Sequence, residues 1–72
     1  MNRYHINIFY SVEDDGYIAD IPDLNNCSAF GDTQQQALEE VLIAQHLWLE
    51  EAEKSGITIP APKYKPLIYK VS

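Results

Sequence analysis

A chain of 72 residues has room for one small domain, and its formal net charge of −6 argues against binding to a nucleic-acid backbone. Hydrophobic residues make up 46% of it, which excludes a disordered chain, and the single Cys27 excludes an internal disulfide. No apolar run is long enough for a secretory signal or a membrane span. We therefore expect one cytoplasmic domain over residues 1–72 that favours a basic partner.

The first two strands are predicted from side chains that alternate between apolar and polar. In residues 4–12 one side of the alternation holds Tyr4, Ile6, Ile8, Tyr10 and Val12, and residues 17–21 resume the pattern. Between them stands Asp-Gly, a strong hairpin signal because Gly tolerates a positive φ. The stretch EDDGYIADIPDL, residues 13–24, is therefore predicted to be a hairpin tip, its second strand and a turn.

A third strand and a long helix follow. Pro22 and its Asp and Asn neighbours predict a turn before a short strand from Cys27 to Phe30. The helix is predicted from about Gln34 to Ser55, with Thr33 or Asp32 as N-cap and Gly56 just past its end. Its apolar face is expected to hold Ala37, Leu38, Val41, Leu42, Ala44, Trp48, Leu49 and Ala52.

The last part of the chain predicts a connector and a fourth strand. Residues 57–66 contain three prolines and cannot continue the helix, whereas residues 67–71 alternate once more. The result is an α+β fold of order βββαβ. Tight turns make the first three strands antiparallel, and a right-handed crossover through the helix returns the fourth strand parallel to the first. We predict a mixed four-stranded sheet of order 3-2-1-4 with the helix over the face of Tyr4, Ile6, Ile8 and Tyr10.

The opposite face of this sheet is predicted to be an interface between copies of the chain. Large apolar groups on a sheet face that no helix covers need a partner, so we expect a homodimer or a higher homo-oligomer. Edge pairing of short outer strands is a second route to the same assembly. The predicted interface residues are Phe9, Ile18, Phe30 and Ile68.

Three stretches taken in order resemble the N-terminal domain of the HicB family of antitoxins. They are EDDGYIADIPDL, AFGDTQQQALEEV and LWLEEAEKSGITIPAP, and together they cover residues 13–62. The resemblance implies a partial ribonuclease-H-like fold. It also implies a function, which is to neutralise a small basic HicA-type toxin, an mRNA-cleaving ribonuclease, by direct protein binding. Many HicB proteins carry a C-terminal DNA-binding module, which we do not expect here, and we expect no direct DNA binding.

A ribonuclease-H-like fold raises the question of nuclease activity. Enzymes of that class hold two metal ions with acids from the first strand, the first helix and the fourth strand. The predicted first strand has no Asp or Glu between Arg3 and Val12, and the predicted fourth strand has none either. We therefore expect no catalytic residues, no metal site and no cofactor, whatever Glu39 or Glu40 could offer.

The acids in residues 13–24 allow two interpretations. Asp14, Asp15, Asp20 and Asp23 are the predicted contacts to a basic partner, and they are also ordinary turn residues. For the whole chain, the alternative to an antitoxin is a small ligand-binding or regulatory domain without a toxin partner.

Overall fold

A computed structural model of the chain describes residues 3–66. In this part, three strands form an antiparallel sheet of order β1-β2-β3 and one helix packs on it. The elements are β1 (Asn7–Ser11), β2 (Gly16–Asp20), β3 (Ser28–Gly31) and α1 (Gln34–Lys54). The predicted α+β class and the order of the first three strands are confirmed. The predicted fourth strand, residues 67–71, lies outside the described residues, and so does Ile68.

The strands begin and end at other residues than predicted, because a residue belongs to a strand only where a residue of the neighbouring strand pairs with it. Asn7 is the first residue of β1 since it pairs with Asp20, the last residue of β2. Beyond Asp20 the chain turns, and Pro22 has no N–H to offer a ladder. Tyr4 precedes β1 and is nevertheless buried, with its hydroxyl donating to the Pro60 carbonyl. The prediction that the strand spans residues 4–12 is thus too long at both ends.

The hairpin between β1 and β2 forms for a different reason than the sequence suggests. The positive φ, 52°, belongs to Asp15 and not to Gly16. Asp tolerates this conformation because its short polar side chain can hydrogen-bond locally. Gly16 is the first residue of β2, where a Cβ would lie 2.5 Å from Phe30 Cε1. Glycine at this position leaves room for the Phe30 ring.

The connection from β2 to β3 belongs to the core. The Leu24 N–H donates to the Ile21 carbonyl at 3.0 Å, and the Cys27 N–H donates to the Leu24 carbonyl at 3.2 Å. These two successive turns are closed by the Ile21 N–H, which donates to the Cys27 carbonyl at 3.0 Å. All three side chains are buried. The polar turn predicted from the sequence therefore also supplies apolar side chains to the interior.

Both ends of α1 are capped as predicted. The Thr33 hydroxyl accepts from the Gln36 N–H at 3.0 Å, while Gln36 Oε1 accepts from the Asp32 N–H at 2.7 Å. At the other end Gly56 has a φ of 72°, and the Ile57 N–H donates to the Ala52 carbonyl at 2.8 Å, as in a Schellman motif. The helix ends at Lys54, one residue before the predicted end.

Small residues let α1 lie close to the sheet. At Gly31, the last residue of β3, a Cβ would lie 2.8 Å from the Ala37 Cα in the first helical turn. The buried cluster consists of Tyr4, Ala19, Ile21, Leu24, Cys27, Ala37 and Val41. This helix lacks the apolar length that crossing a membrane requires, as far as the chain is described.

Two residues that were predicted to face the core are half exposed. The helix lies mainly over β2 and β3, so Tyr10 on β1 is beyond its reach and instead packs edge-on against Tyr17, with 5.4 Å between ring centroids. Leu42 lies at the margin of the buried stripe of α1. Trp48 is partly buried beside the core, and its Nε1 donates to the Asn25 carbonyl at 2.8 Å.

Candidate protein-binding surface

The sheet face that points away from α1 carries one large apolar side chain from each strand in a single row. The register pairs Phe9 with Ile18 and Ile18 with Phe30. Phe9 is 50% exposed and Phe30 43% exposed, while Ile18 between them is partly buried. We call these three residues the apolar row. The structure thus brings together three of the four residues predicted as an interface, and the fourth, Ile68, lies outside the described residues.

The hairpin tip flanks the apolar row at one end of the strands, and two of its carboxylates are hydrogen-bonded to neighbouring side chains. Ser11 Oγ donates to Asp14 Oδ2 at 2.9 Å, and the Tyr10 hydroxyl donates to Asp15 Oδ1 at 2.8 Å. The hydrogen bond to Asp15 raises the pKa of Tyr10, because ionisation would remove the proton that the carboxylate accepts. Both acids are exposed, so the tip presents oriented negative charge to solvent.

Asp20 lies at the other end of the same sheet face. It pairs with Asn7 on one side and with Ser28 on the other, and it is partly buried. Because side chains alternate along a strand, Asp20 shares its face with Ile18 and Gly16. Asp20 follows Gly16, the first residue after the tip, by four residues, which corresponds to about 13 Å along the strand at the usual rise per residue.

Asp23 has an internal role. Its Oδ2 accepts from the backbone N–H groups of Lys63 at 3.3 Å and Tyr64 at 3.2 Å. This carboxylate therefore holds the connector against the β2–β3 turn. The four acids that were predicted as one group of partner contacts occupy three separate places.

The connector, residues 57–66, is tied to the N-terminal segment by two further contacts. Tyr4 donates to the Pro60 carbonyl, and the rings of His5 and Tyr64 lie 4.9 Å apart between centroids. Burial is the main reason why the pKa of Tyr4 is raised, and the nearby charge of Asp23 adds to it. None of these contacts is predicted from the sequence, because they join residues about 40 or more positions apart.

The metal-ligating and nucleophilic side chains of the described residues lie apart from one another. Within residues 3–66, no group of three His, Cys, Asp or Glu side chains is placed to hold a metal ion. Cys27 is buried, and desolvation raises the pKa of its thiol, which disfavours the nucleophilic thiolate. His46 Nε2 lies 4.0 Å from Glu50 Oε2 on the exposed side of the helix.

A second exposed apolar patch lies on α1 and is not among the predicted sites. Ile43 and Leu47 are each 56% exposed. Beside Leu47 a groove of about 440 Å³ opens between the helix and the β2–β3 turn. The sequence does contain an indication of this patch. Ile43 and Leu47 are four residues apart on the side of the helix opposite Val41, where an amphipathic helix is expected to carry polar residues.

Comparison with known proteins gives a relative of similar length. UPF0150 protein ssl0259 from Synechocystis sp. is 37% identical over 54 residues, which make up 75% of this chain and 74% of the relative. No family model matches the chain. No solved structure matches it either.

Proposed function

The chain belongs to the UPF0150 family, and we propose that it is a non-enzymatic antitoxin of the HicB type. In this role it binds a small basic HicA-type toxin, an mRNA-cleaving ribonuclease, and neutralises it by direct contact in the cytoplasm. The observation that carries this function is the hairpin tip, where Ser11 and Tyr10 orient the carboxylates of Asp14 and Asp15 toward solvent. The resemblance of residues 13–62 to HicB domains is the reason for proposing a HicA-type toxin as the partner.

The chemistry of an RNA-cleaving toxin explains why oriented carboxylates would block it. A protein that binds RNA presents Lys and Arg side chains to the phosphate backbone. Carboxylates that are already fixed lose little side-chain entropy when they pair with those cations. The net charge of −6 extends the attraction beyond the contact itself and raises the rate of encounter. Asp20 adds a further carboxylate at the opposite end of the sheet face.

In the proposed function, a second copy of the chain, and not the toxin, covers the apolar row. Two sheets that pack face to face would bury Phe9, Ile18 and Phe30 and remove their exposed surface from water. Asp14 and Asp15 lie in the turn between the strands, outside the three residues of this contact, so we expect the toxin to reach them in the assembly. The proposed assembly is a homodimer or a higher homo-oligomer that carries one tip per copy.

The proposed function implies a more complete fold than the three strands and the helix described above. It is the partial ribonuclease-H-like sheet of order 3-2-1-4, in which residues 67–71 form a fourth strand beside β1. That strand stays a prediction from the sequence. An antitoxin that acts by masking needs no catalytic residue, metal, cofactor, membrane or DNA contact.

One observation favours a second candidate function, a small ligand-binding or regulatory domain. The groove beside Leu47, about 440 Å³, falls within the size range of small-molecule sites. It is lined by apolar side chains and by three polar ones, which suit an amphipathic ligand: Cys27, Ala44, Leu47 and Trp48, with Asn26, Glu50 and Glu51.

Co-expression separates these functions. The toxin for this test is a small basic HicA-type protein whose gene neighbours the gene of this chain, and it is produced in bacteria with and without the chain. We expect the chain to restore growth and to co-purify with the toxin, and Asp14→Lys/Asp15→Asn to lose both effects, with Asn at position 15 because it tolerates the positive φ there. The matched control is Asp32→Lys/Glu53→Gln, which changes the charge equally at two exposed positions elsewhere. Continued growth arrest without a complex would contradict the antitoxin function and leave the ligand-binding domain.

A further inference from the structure

We infer that the outer face of α1 is a second binding surface, which takes a basic amphipathic segment of a partner protein. We call it the acid-framed patch. Its residues are Glu39, Glu40, Ile43, Leu47, Glu50 and Glu51. It lies on the opposite side of the molecule from the apolar row, because α1 covers the other face of the sheet.

The centre of the patch is apolar and exposed. Leu47 follows Ile43 by four residues, so the two side chains are neighbours on the helix surface, one turn apart. Each is 56% exposed. Burying two such side chains removes a substantial apolar area from water, which favours association.

Four glutamates frame this centre. Glu39 and Glu40 precede Ile43 by four and three residues, and Glu50 and Glu51 follow Leu47 by three and four. At these spacings the glutamates adjoin the apolar pair on the helix surface, and all four are exposed. Lys54, in the last turn, is the one Lys or Arg of α1. An apolar centre with acidic flanks complements a segment that has apolar anchors and flanking Lys or Arg.

The stability of the helix accounts for part of this arrangement. Glu50 precedes Lys54 by four residues, which is a stabilising spacing, and its Oε2 lies 4.0 Å from His46 Nε2. Glu51 lies in the last turn, where a carboxylate opposes the macrodipole, so its position is not explained by helix stability and is expected if it serves an intermolecular contact.

A groove next to Leu47 gives the partner a place for an anchor side chain. It measures about 440 Å³ and lies between α1 and the β2–β3 turn, with Ala44 and Trp48 on the helix side and Cys27 on the turn side. Because the Cys27 thiol is buried and uncharged, this wall is neutral at pH 7. Glu51 stands at the rim, where it can pair with a cation beside the anchor.

A second copy of the chain does not fit the patch. Ile43 and Leu47 are centred on position 45, and so are the two pairs of glutamates. In an antiparallel contact between two α1 helices, Glu39 and Glu40 would therefore face Glu50 and Glu51 of the other copy. A parallel contact would set each pair against its own equivalent. Like charges meet in both arrangements, so charge complementarity points to a basic partner.

The test uses the full chain and a synthetic helical peptide of about 18 residues, long enough to span the patch. The peptide has two Leu anchors four residues apart with Lys at three and four residues on either side, and a control peptide has Ser at both anchors. We expect saturable binding of the first peptide, with the largest NMR shifts at the amides of Ala44, Leu47 and Glu51. Binding of the control peptide is expected to be at least about tenfold weaker.

Variants of the chain then locate the contact. Leu47→Ser is expected to weaken binding about tenfold, and Glu50→Gln/Glu51→Gln to weaken it several-fold and to flatten its salt dependence. Phe30→Ser in the apolar row and Asp14→Asn/Asp15→Asn at the tip are the matched controls, which we expect to leave the Kd within about twofold. Ile43→Ser replaces Leu47→Ser if the latter alters the thermal melt.

Three outcomes would overturn the inference. One is that the NMR shifts are centred on the sheet face or on the hairpin tip. Another is that Leu47→Ser and Ile43→Ser leave the affinity unchanged, since the peptide would then be held by diffuse charge alone. The third is a dimer of the free chain that Leu47→Glu dissociates, which would make the patch an interface between copies.

Discussion

The ring of Phe30 occupies the space that a side chain at Gly16 would need. A Cβ at Gly16 would lie 2.5 Å from Phe30 Cε1, although the two residues lie on different strands and are not direct partners in the ladder. The contact holds the ring against the start of β2, near the hairpin tip. Gly16 therefore contributes to the shape of the apolar row as well as to the hairpin.

Two glycines on this sheet are expected to respond differently to alanine. At Gly31 a Cβ would meet the helix backbone, 2.8 Å from the Ala37 Cα, and backbone cannot move aside without shifting α1. At Gly16 the obstacle is an exposed ring that can rotate. We expect Gly31→Ala to lower the free energy of unfolding by about 3 kcal/mol and Gly16→Ala by about 1 kcal/mol in urea melts.

The double variant Gly16→Ala/Phe30→Ala checks the cause. If the ring is the obstacle, Gly16→Ala should cost almost nothing once Phe30 is alanine. An unchanged cost in that background would show that the strain comes from the backbone of the hairpin.

Trp48 is expected to stabilise the fold through both its ring and its indole N–H. Trp48→Ala should lower the free energy of unfolding by about 3 kcal/mol, the lower end for a large aromatic, because the side chain is only partly buried. Trp48→Phe retains most of the ring and loses the bond to the Asn25 carbonyl, which should cost about 1 kcal/mol. Leu47→Ala is the control, and a loss there equal to that of Trp48→Ala would contradict the assignment.

Local features of the fold were predictable from the sequence, whereas its long-range contacts were not. The Thr33 cap and the Gly56 stop depend on residues within one helical turn, so the pattern indicates them directly. The start of β1 depends on Asp20, its partner across the ladder. The hold of Asp23 on the connector depends on the amides of Lys63 and Tyr64, about 40 residues away. No periodicity within a segment encodes such a contact.

The candidate surface was predictable to the same extent. Alternation along each strand places Phe9, Ile18 and Phe30 on one face, and the antiparallel register aligns them. The four acids could not be divided by the same rule, because three of them, Asp14, Asp15 and Asp23, lie in turns, where alternation assigns no face. The exposure of Ile43 and Leu47 depends on where α1 crosses the sheet, which helical periodicity alone leaves open.

Alkaline pH is expected to destabilise the fold. The pKa values of Cys27 and Tyr4 are raised, chiefly because burial disfavours their charged forms. Each group therefore loses its proton at a lower pH in the unfolded chain than in the folded one. Its contribution to the free energy of unfolding is fully present below the pKa of the unfolded chain and is lost as the pH rises through the pKa of the folded chain. The ordinary values are 9.0 for Cys27 and 10.0 for Tyr4, which places the loss above pH 9.

Urea melts between about pH 8 and about pH 10.5 measure this effect. Cys27→Ala should reduce the decline that begins near pH 9, while the decline attributable to Tyr4 remains. A free energy of unfolding that is independent of pH across this range would contradict the prediction, and so would a decline that Cys27→Ala leaves unaltered.

The apolar row is expected to control the oligomeric state. Phe9→Ser/Phe30→Ser should shift the chain toward monomer in sedimentation equilibrium, because it removes the exposed aromatic surface that a second copy would cover. Stability of the monomer should change little, since both rings are about half exposed. Ile43→Ser/Leu47→Ser on α1 is the matched control and should leave the assembly intact. If that variant dissociates the oligomer and the Phe variant does not, the interface lies on the helix.

The hairpin tip is expected to steer a basic toxin more than to hold it. Asp14→Lys/Asp15→Asn should slow association about tenfold at low salt and make the on-rate less dependent on salt, with a smaller effect on dissociation. Stopped-flow kinetics at about 50 mM and about 300 mM salt measure both quantities. Asp20→Lys tests the opposite end of the face separately. Asp23 is left unchanged, because its carboxylate holds the connector and a Lys there would alter the fold.

The control for this last prediction is Asp32→Lys/Glu53→Gln, which makes the same change in net charge away from the tip. Charge that acts through the whole molecule would slow association equally in both double variants. Charge that acts through the oriented pair would slow it far more in the tip variant, because Ser11 and Tyr10 fix those carboxylates where the partner arrives. Equal slowing would therefore leave Asp14 and Asp15 as turn residues in an acidic protein, with no role of their own in recognition.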